Sequence, residues 1–123
     1  MKPLDRTVDV LGTQYVIVFM NDTQEPKLKE CDGFIDVSTK EIVVRIIEST
    51  AGSLQDLKAY TNKVIRHELI HAFLHESGLW NNSNSCSQWA LNEEMVDWLA
   101  IQFHKIQAAF VEADCVQKRK RGM

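Results

Sequence analysis

From Thr13 to Met20 the chain reads TQYVIVFM, a β-branched and aromatic run that stops at the turn-forming NDTQEP segment. The pattern predicts a strand. Gly33 to Ser38 sets Phe34, Ile35 and Val37 around Asp36, Glu41 to Ile47 is again β-branched, and Thr39-Lys40 between them suits a tight turn. These two runs predict a hairpin and, with the first strand, a three-stranded antiparallel sheet. Residues 1 to 10 (MKPLDRTVDV) hold no sustained period and read as a tail or a short edge element.

The period changes after Ser49-Thr50-Ala51-Gly52-Ser53. Ser53 suits a helix cap, with Asp56 three residues on, and Leu54, Leu57, Val64, Ile65, Leu69, Phe73 and Leu74 then recur at three- and four-residue steps. Gly78 supplies the stop. The polar stretch Trp80 to Gln88 reads as a loop, and Ser87 suits a cap for the next helix. From Trp89 to about Gln117, Met95, Leu99, Phe103, Ile106 and Phe110 form one apolar stripe. The expectation is an α+β fold in one domain over residues 1–123, with the small antiparallel sheet packed on the first helix and a long C-terminal helix beside it.

With 123 residues, 45% hydrophobic and 25% charged, the chain has the balance of a globular domain. Its formal net charge of -3 gives no pull toward nucleic acid or an anionic membrane, so neither is expected as a partner. The basic run Lys118-Arg119-Lys120-Arg121 reads as a solvated end. The apolar run from Tyr15 to Met20 is too short for a signal-peptide core, which makes the cytoplasm the expected location. Cys31, Cys86 and Cys115 are odd in number and widely spaced, as for three reduced thiols; Cys31 alone lies near a predicted sheet edge, where it can face a cleft.

The chemistry concentrates at His67-Glu68-Leu69-Ile70-His71, an HExxH motif inside the first helix. Residues four apart on a helix stand one turn above each other, so both imidazoles can share one tetrahedral zinc at about 2.0 to 2.1 Å. Glu68 lies beside that line, where it can take a proton from a water on the metal. A catalytic zinc normally takes three protein ligands. Glu93 and Asp97, one turn apart at the start of the second helix, can supply the third ligand and, behind it, an acceptor for the N–H of a ligating histidine. Iron is the alternative ion for two imidazoles and a carboxylate, with the helix-borne motif favouring zinc.

HExxH followed about twenty residues later by Asn92-Glu93 and Asp97, an NExxxD element, resembles the thermolysin-type zinc peptidases called gluzincins. The resemblance implies that Glu93 is the third ligand and that Asp97 is an outer partner behind the ligands, with Glu94 as the competing choice for the ligand. More narrowly, a small sheet followed by KVIRHELIHAFLHESGL and NEEMVDWLAIQF resembles the short phage and prophage proteins grouped with the ImmA/IrrE metallopeptidases. That implies a zinc endopeptidase cutting a regulator or other host protein in the bacterial cytoplasm, although the chain has no room for a separate helix-turn-helix domain.

His75 continues the four-residue line but lies about 12 Å along the axis from His67, too far to share the ion. No glycine lies between His71 and His75 to break the helix, which excludes the metzincin pattern. His104 reads as a hydrogen-bonded structural histidine, and Trp80, Trp89 and Trp98 as buried area in the core or at a partner surface. Tyr60, His75 and His104 are candidates for stabilising an oxyanion. The rival reading is a phage or mobile-element protein that uses zinc as a structural staple and binds a host protein without cutting it; Glu68 argues against it, since a staple needs no base.

Overall fold

Ile42, Val43 and Val44 are consecutive, apolar and all buried. A strand apolar on both faces belongs inside a sheet, and that requirement sets the topology. The structure, a computed structural model, describes residues 4–47, 57–79 and 92–116. Its strands are β1 (Arg6–Val10), β2 (Thr13–Met20), β3 (Gly33–Asp36) and β4 (Glu41–Arg45), in the spatial order β1-β2-β4-β3. The β3–β4 hairpin forms as expected, and β3 becomes an outer strand because β4 inserts between it and β2.

Two features correct the expected three-stranded antiparallel sheet. The sheet has four strands, and it is mixed: β2 pairs with β4 in parallel, while β1–β2 and β3–β4 are antiparallel. Residues 6–10 form the short edge element and not a tail: β1 lies at the edge of the sheet, and Val8 and Val10 alternate toward the core. A two-residue turn joins β1 to β2, with Leu11 and Gly12 both at positive φ (51° and 90°), the conformation whose twist suits a tight hairpin. Between β2 and β3 the chain makes a short 3₁₀ helix, Pro26–Lys29, whose Leu28 is fully buried against Val18 and Val43 on one face of the sheet.

The other face carries Tyr15, Ile17, Phe19, Ile42 and Val44, and against it lies α1 (Leu57–Glu76) through Val64, Ile65 and Ala72. At the far end of α1, Glu76 accepts hydrogen bonds from the hydroxyls of Thr13 (3.0 Å) and Tyr15 (2.7 Å) and from Lys40 Nζ (3.0 Å). The Tyr15 bond, followed by that of Lys40, brings its pKa down to about 2, so a carboxylate ties the helix end to the sheet. Gly78 closes the helix at φ 88°, as expected. The expected Ser53 cap, the Trp80–Gln88 loop with Ser87, Cys86, Trp80, Trp89 and the basic run 118–121 lie outside the described residues.

The second helix, α2 (Glu93–Glu112), begins later than expected, because Asn92 is extended and its side chain accepts the Met95 N–H at 3.0 Å. It also ends sooner. Asp114 at φ 57° sends the Cys115 N–H back to the Phe110 carbonyl, a left-handed cap made without glycine. The expected apolar stripe is not the packed face: Met95, Phe103 and Phe110 are exposed, whereas Val96 and Ala100 are buried. Val96 meets Leu74 and half-buried Ile70 on α1, and Arg66 Nε donates to the Ala100 carbonyl at 2.6 Å. Small side chains at the contact bring the helices close, and residues 93 and 97, two turns and one turn before Ala100 respectively, face the same way.

Candidate metal centre

His67 and His71 stand on the half-buried side of α1, one turn apart, with ring centroids 4.9 Å apart. Glu93, in the first turn of α2, reaches across to both. Its Oε1 lies 3.1 Å from His67 Nε2 and 2.9 Å from His71 Nε2, and the two Nε2 atoms are 3.2 Å apart. One ligand atom from each residue lies within 4.8 Å of the others, so the three form a group able to hold a metal ion.

The donor set fits that use. A triangle with edges of this length has its centre about 1.8 Å from each corner, close to the 2.0 to 2.1 Å at which zinc would take such donors. The two imidazoles and the carboxylate supply lone pairs when the rings are neutral. Burial pushes the His71 imidazole below its ordinary pKa, toward that neutral form. His67 Nδ1 lies 3.1 Å from Asp97 Oδ1, which leaves its Nε2 turned to Glu93.

Glu68 is on the inner side of the same helix, only 7% exposed. Burial, opposed by the nearby His67 and reinforced by Glu93, raises its carboxyl to a pKa of about 7, the range in which a general base works near neutrality. A cleft of about 370 Å³ opens between this helix and the outer strand, lined by Cys31, Gly33, Phe34, Ile35, His67, Glu68, His71 and Glu93. Cys31 therefore faces the cleft, exposed, with its thiol donating to the Lys27 carbonyl oxygen (Sγ to O 3.4 Å) and its pKa raised, chiefly by desolvation. Beside the cleft, Tyr60 gives its hydroxyl proton to Asp32 Oδ2.

The remaining candidates sit apart. His75 does not line the cleft; its Nε2 is 4.0 Å from Glu76 Oε2. His104 is exposed and borders a separate groove with Arg66 and Ile101, and Glu94 is exposed outside the cluster. Trp98 is exposed and so is not a core residue.

One position that sequence reasoning passed over sets the cleft's width. A Cβ on Gly33 would stand 2.8 Å from Val64 Cγ1, 3.2 Å from the Val43 carbonyl oxygen and 3.6 Å from Glu68 Cγ. Valine has no flexible end to swing aside and the carbonyl belongs to the sheet, so β3 has to shift. Gly33→Ala is expected to destabilise the protein by about 1–3 kcal/mol in urea unfolding. An unchanged midpoint would mean that α1 and β3 are farther apart than described.

The fold and this cluster define a small α+β protein with a two-histidine, one-carboxylate centre beside a strand edge. The family model described as "BSP: Peptidase of plants and bacteria" matches residues 6–120, nearly the whole chain, and the chain belongs to that family. No curated protein and no solved structure gives a significant match. Among the described residues no helix is long and apolar enough to cross a membrane.

Proposed function

We propose that this protein is a zinc-dependent endopeptidase of gluzincin type, with His67, His71 and Glu93 as ligands, Asp97 behind His67, and Glu68 as general base. The observation that carries the reading is the convergence of the three donor atoms within 4.8 Å while Glu68 is buried in the same cleft. Membership of a peptidase family supports the reaction class. The likeness to ImmA/IrrE proteins supports a cytoplasmic protein as substrate, in a bacterial cell if the chain is phage or prophage encoded.

A zinc ion in this ligand set supplies a Lewis acid that polarises the scissile carbonyl and acidifies the attacking water. The chain's own residues do the rest. Glu68 accepts the proton of the attacking water on a carboxylate oxygen and returns it to the leaving amine. Its burial keeps that proton from bulk solvent. The β3 strand has β4 on one side and the cleft on the other, so an extended peptide can add there as a further strand, its backbone held by ladder hydrogen bonds. That pairing would lay the scissile bond across His67 and Glu68.

The test is metal analysis of the purified chain, followed by incubation with bacterial lysate and mapping of new protein termini. Stoichiometric zinc and a defined set of new termini, both absent in His71→Ala, are expected. Zinc without any new terminus would leave the staple reading in its place.

A further inference from the structure

Lys63 and His67 are one turn apart on α1, and both reach the same oxygen of Asp97. Lys63 Nζ lies 3.1 Å from Asp97 Oδ1, and His67 Nδ1 lies 3.1 Å from it. By itself Asp97 is a loose brace: its side chain is 39% exposed, and water competes for its oxygens. Lys63 is more enclosed, and its ammonium also sits 5.3 Å from the centre of the Tyr60 ring. That ring is fixed in turn, since the Tyr60 hydroxyl donates to Asp32, and the Asp32 carbonyl accepts the Arg45 N–H at 2.8 Å. The chain of contacts thus starts in the sheet and ends on an imidazole.

We infer that Lys63 is a positioning residue for the metal centre, acting through Asp97 on His67; the inference rests on the proposed ligand set. The ammonium holds the Asp97 oxygen where it accepts the His67 Nδ1–H. That bond fixes the tautomer whose Nε2 lone pair points toward Glu93 and His71, and it holds the ring in that orientation. A partly exposed lysine–aspartate pair contributes little to folding stability. Its effect falls on the histidine that the aspartate orients.

The experiment measures zinc affinity by competition against a chromophoric chelator for the parent, Lys63→Met, Lys63→Arg, Asp97→Asn and the Lys63→Met/Asp97→Asn double variant. Lys63→Met is expected to weaken zinc binding about tenfold, within the range for lost outer-shell partners. Lys63→Arg should remain within about threefold of the parent, since a cation still reaches the carboxylate. In the Asp97→Asn background, Lys63→Met should change zinc affinity no further. Urea unfolding of the metal-free forms should leave the Lys63→Met midpoint at the parent value. A parent that binds zinc together with a Lys63→Met variant of equal affinity overturns this inference alone, as does an additive loss in the double variant. A parent that takes up no zinc overturns the ligand set and the inference with it.

Discussion

Glu68→Gln is expected to lower peptide hydrolysis by about two to four orders of magnitude, the usual contribution of a positioned base, while zinc content stays at the parent level. The amide keeps the shape of the side chain but takes up no proton, and Glu68 is absent from the donor triangle. The same substitution has an opposite effect on folding. In the metal-free protein the Glu68 carboxyl has its pKa raised from 4.5 to about 7, chiefly by burial. A carboxyl whose folded pKa lies above its unfolded one stabilises fully below the unfolded value, and that contribution disappears as pH rises through about 7. The difference corresponds to roughly 3 kcal/mol between pH 4 and pH 8. Urea unfolding in chelator should show that loss in the parent and not in Glu68→Gln, making the inactive variant the more stable one at pH 8. Equal slopes in the two proteins, or hydrolysis that survives the substitution, would remove Glu68 from its assigned place.

The parts of this molecule legible in its sequence are those governed by local geometry. His67 and His71 fall on one face because a helix turns in 3.6 residues, whatever packs around it, and the same holds for Glu93 and Asp97. Meeting across two helices is a tertiary fact, and the paired spacings anticipated it. The sheet was less legible because pairing order is non-local. Ile42-Val43-Val44 carries the signal for a central strand, three apolar residues in a row where an edge strand would alternate, but chain order alone suggests that neighbours in sequence are neighbours in space. The α2 stripe misled for a related reason. Large apolar residues recur along it, yet the face turned to α1 is selected by Glu93 and Asp97 having to reach the histidines, which favours the small Ala100 and the modest Val96. Lys63 and Gly33 have no motif at all: each matters through one distance to a residue far along the chain.

Metal removal is expected to loosen α2 before anything else. Among the described residues, α2 buries only Val96 and Ala100, and most of its second half is exposed, so little apolar area docks it on α1. The sheet and α1 share a far larger core, from Val10 and Tyr15 through Ile42 and Val44 to Val64 and Ala72. An ion held by His67, His71 and Glu93 is a cross-link between the two helices at the end where α2 begins. With free zinc at a thousand times its dissociation constant, binding adds about 4 kcal/mol to the stability of whatever unit it closes. Chelation should therefore raise hydrogen-exchange rates at the hydrogen-bonded amides of α2 by up to about a thousandfold. Those of β2 and β4 should stay near their metal-loaded values, since local opening of a weakly docked helix need not breach the core. Rates that rise alike in α2 and in the central strands would show that the ion secures the whole domain, and unchanged rates in α2 would show that Glu93 does not join the helices through a metal.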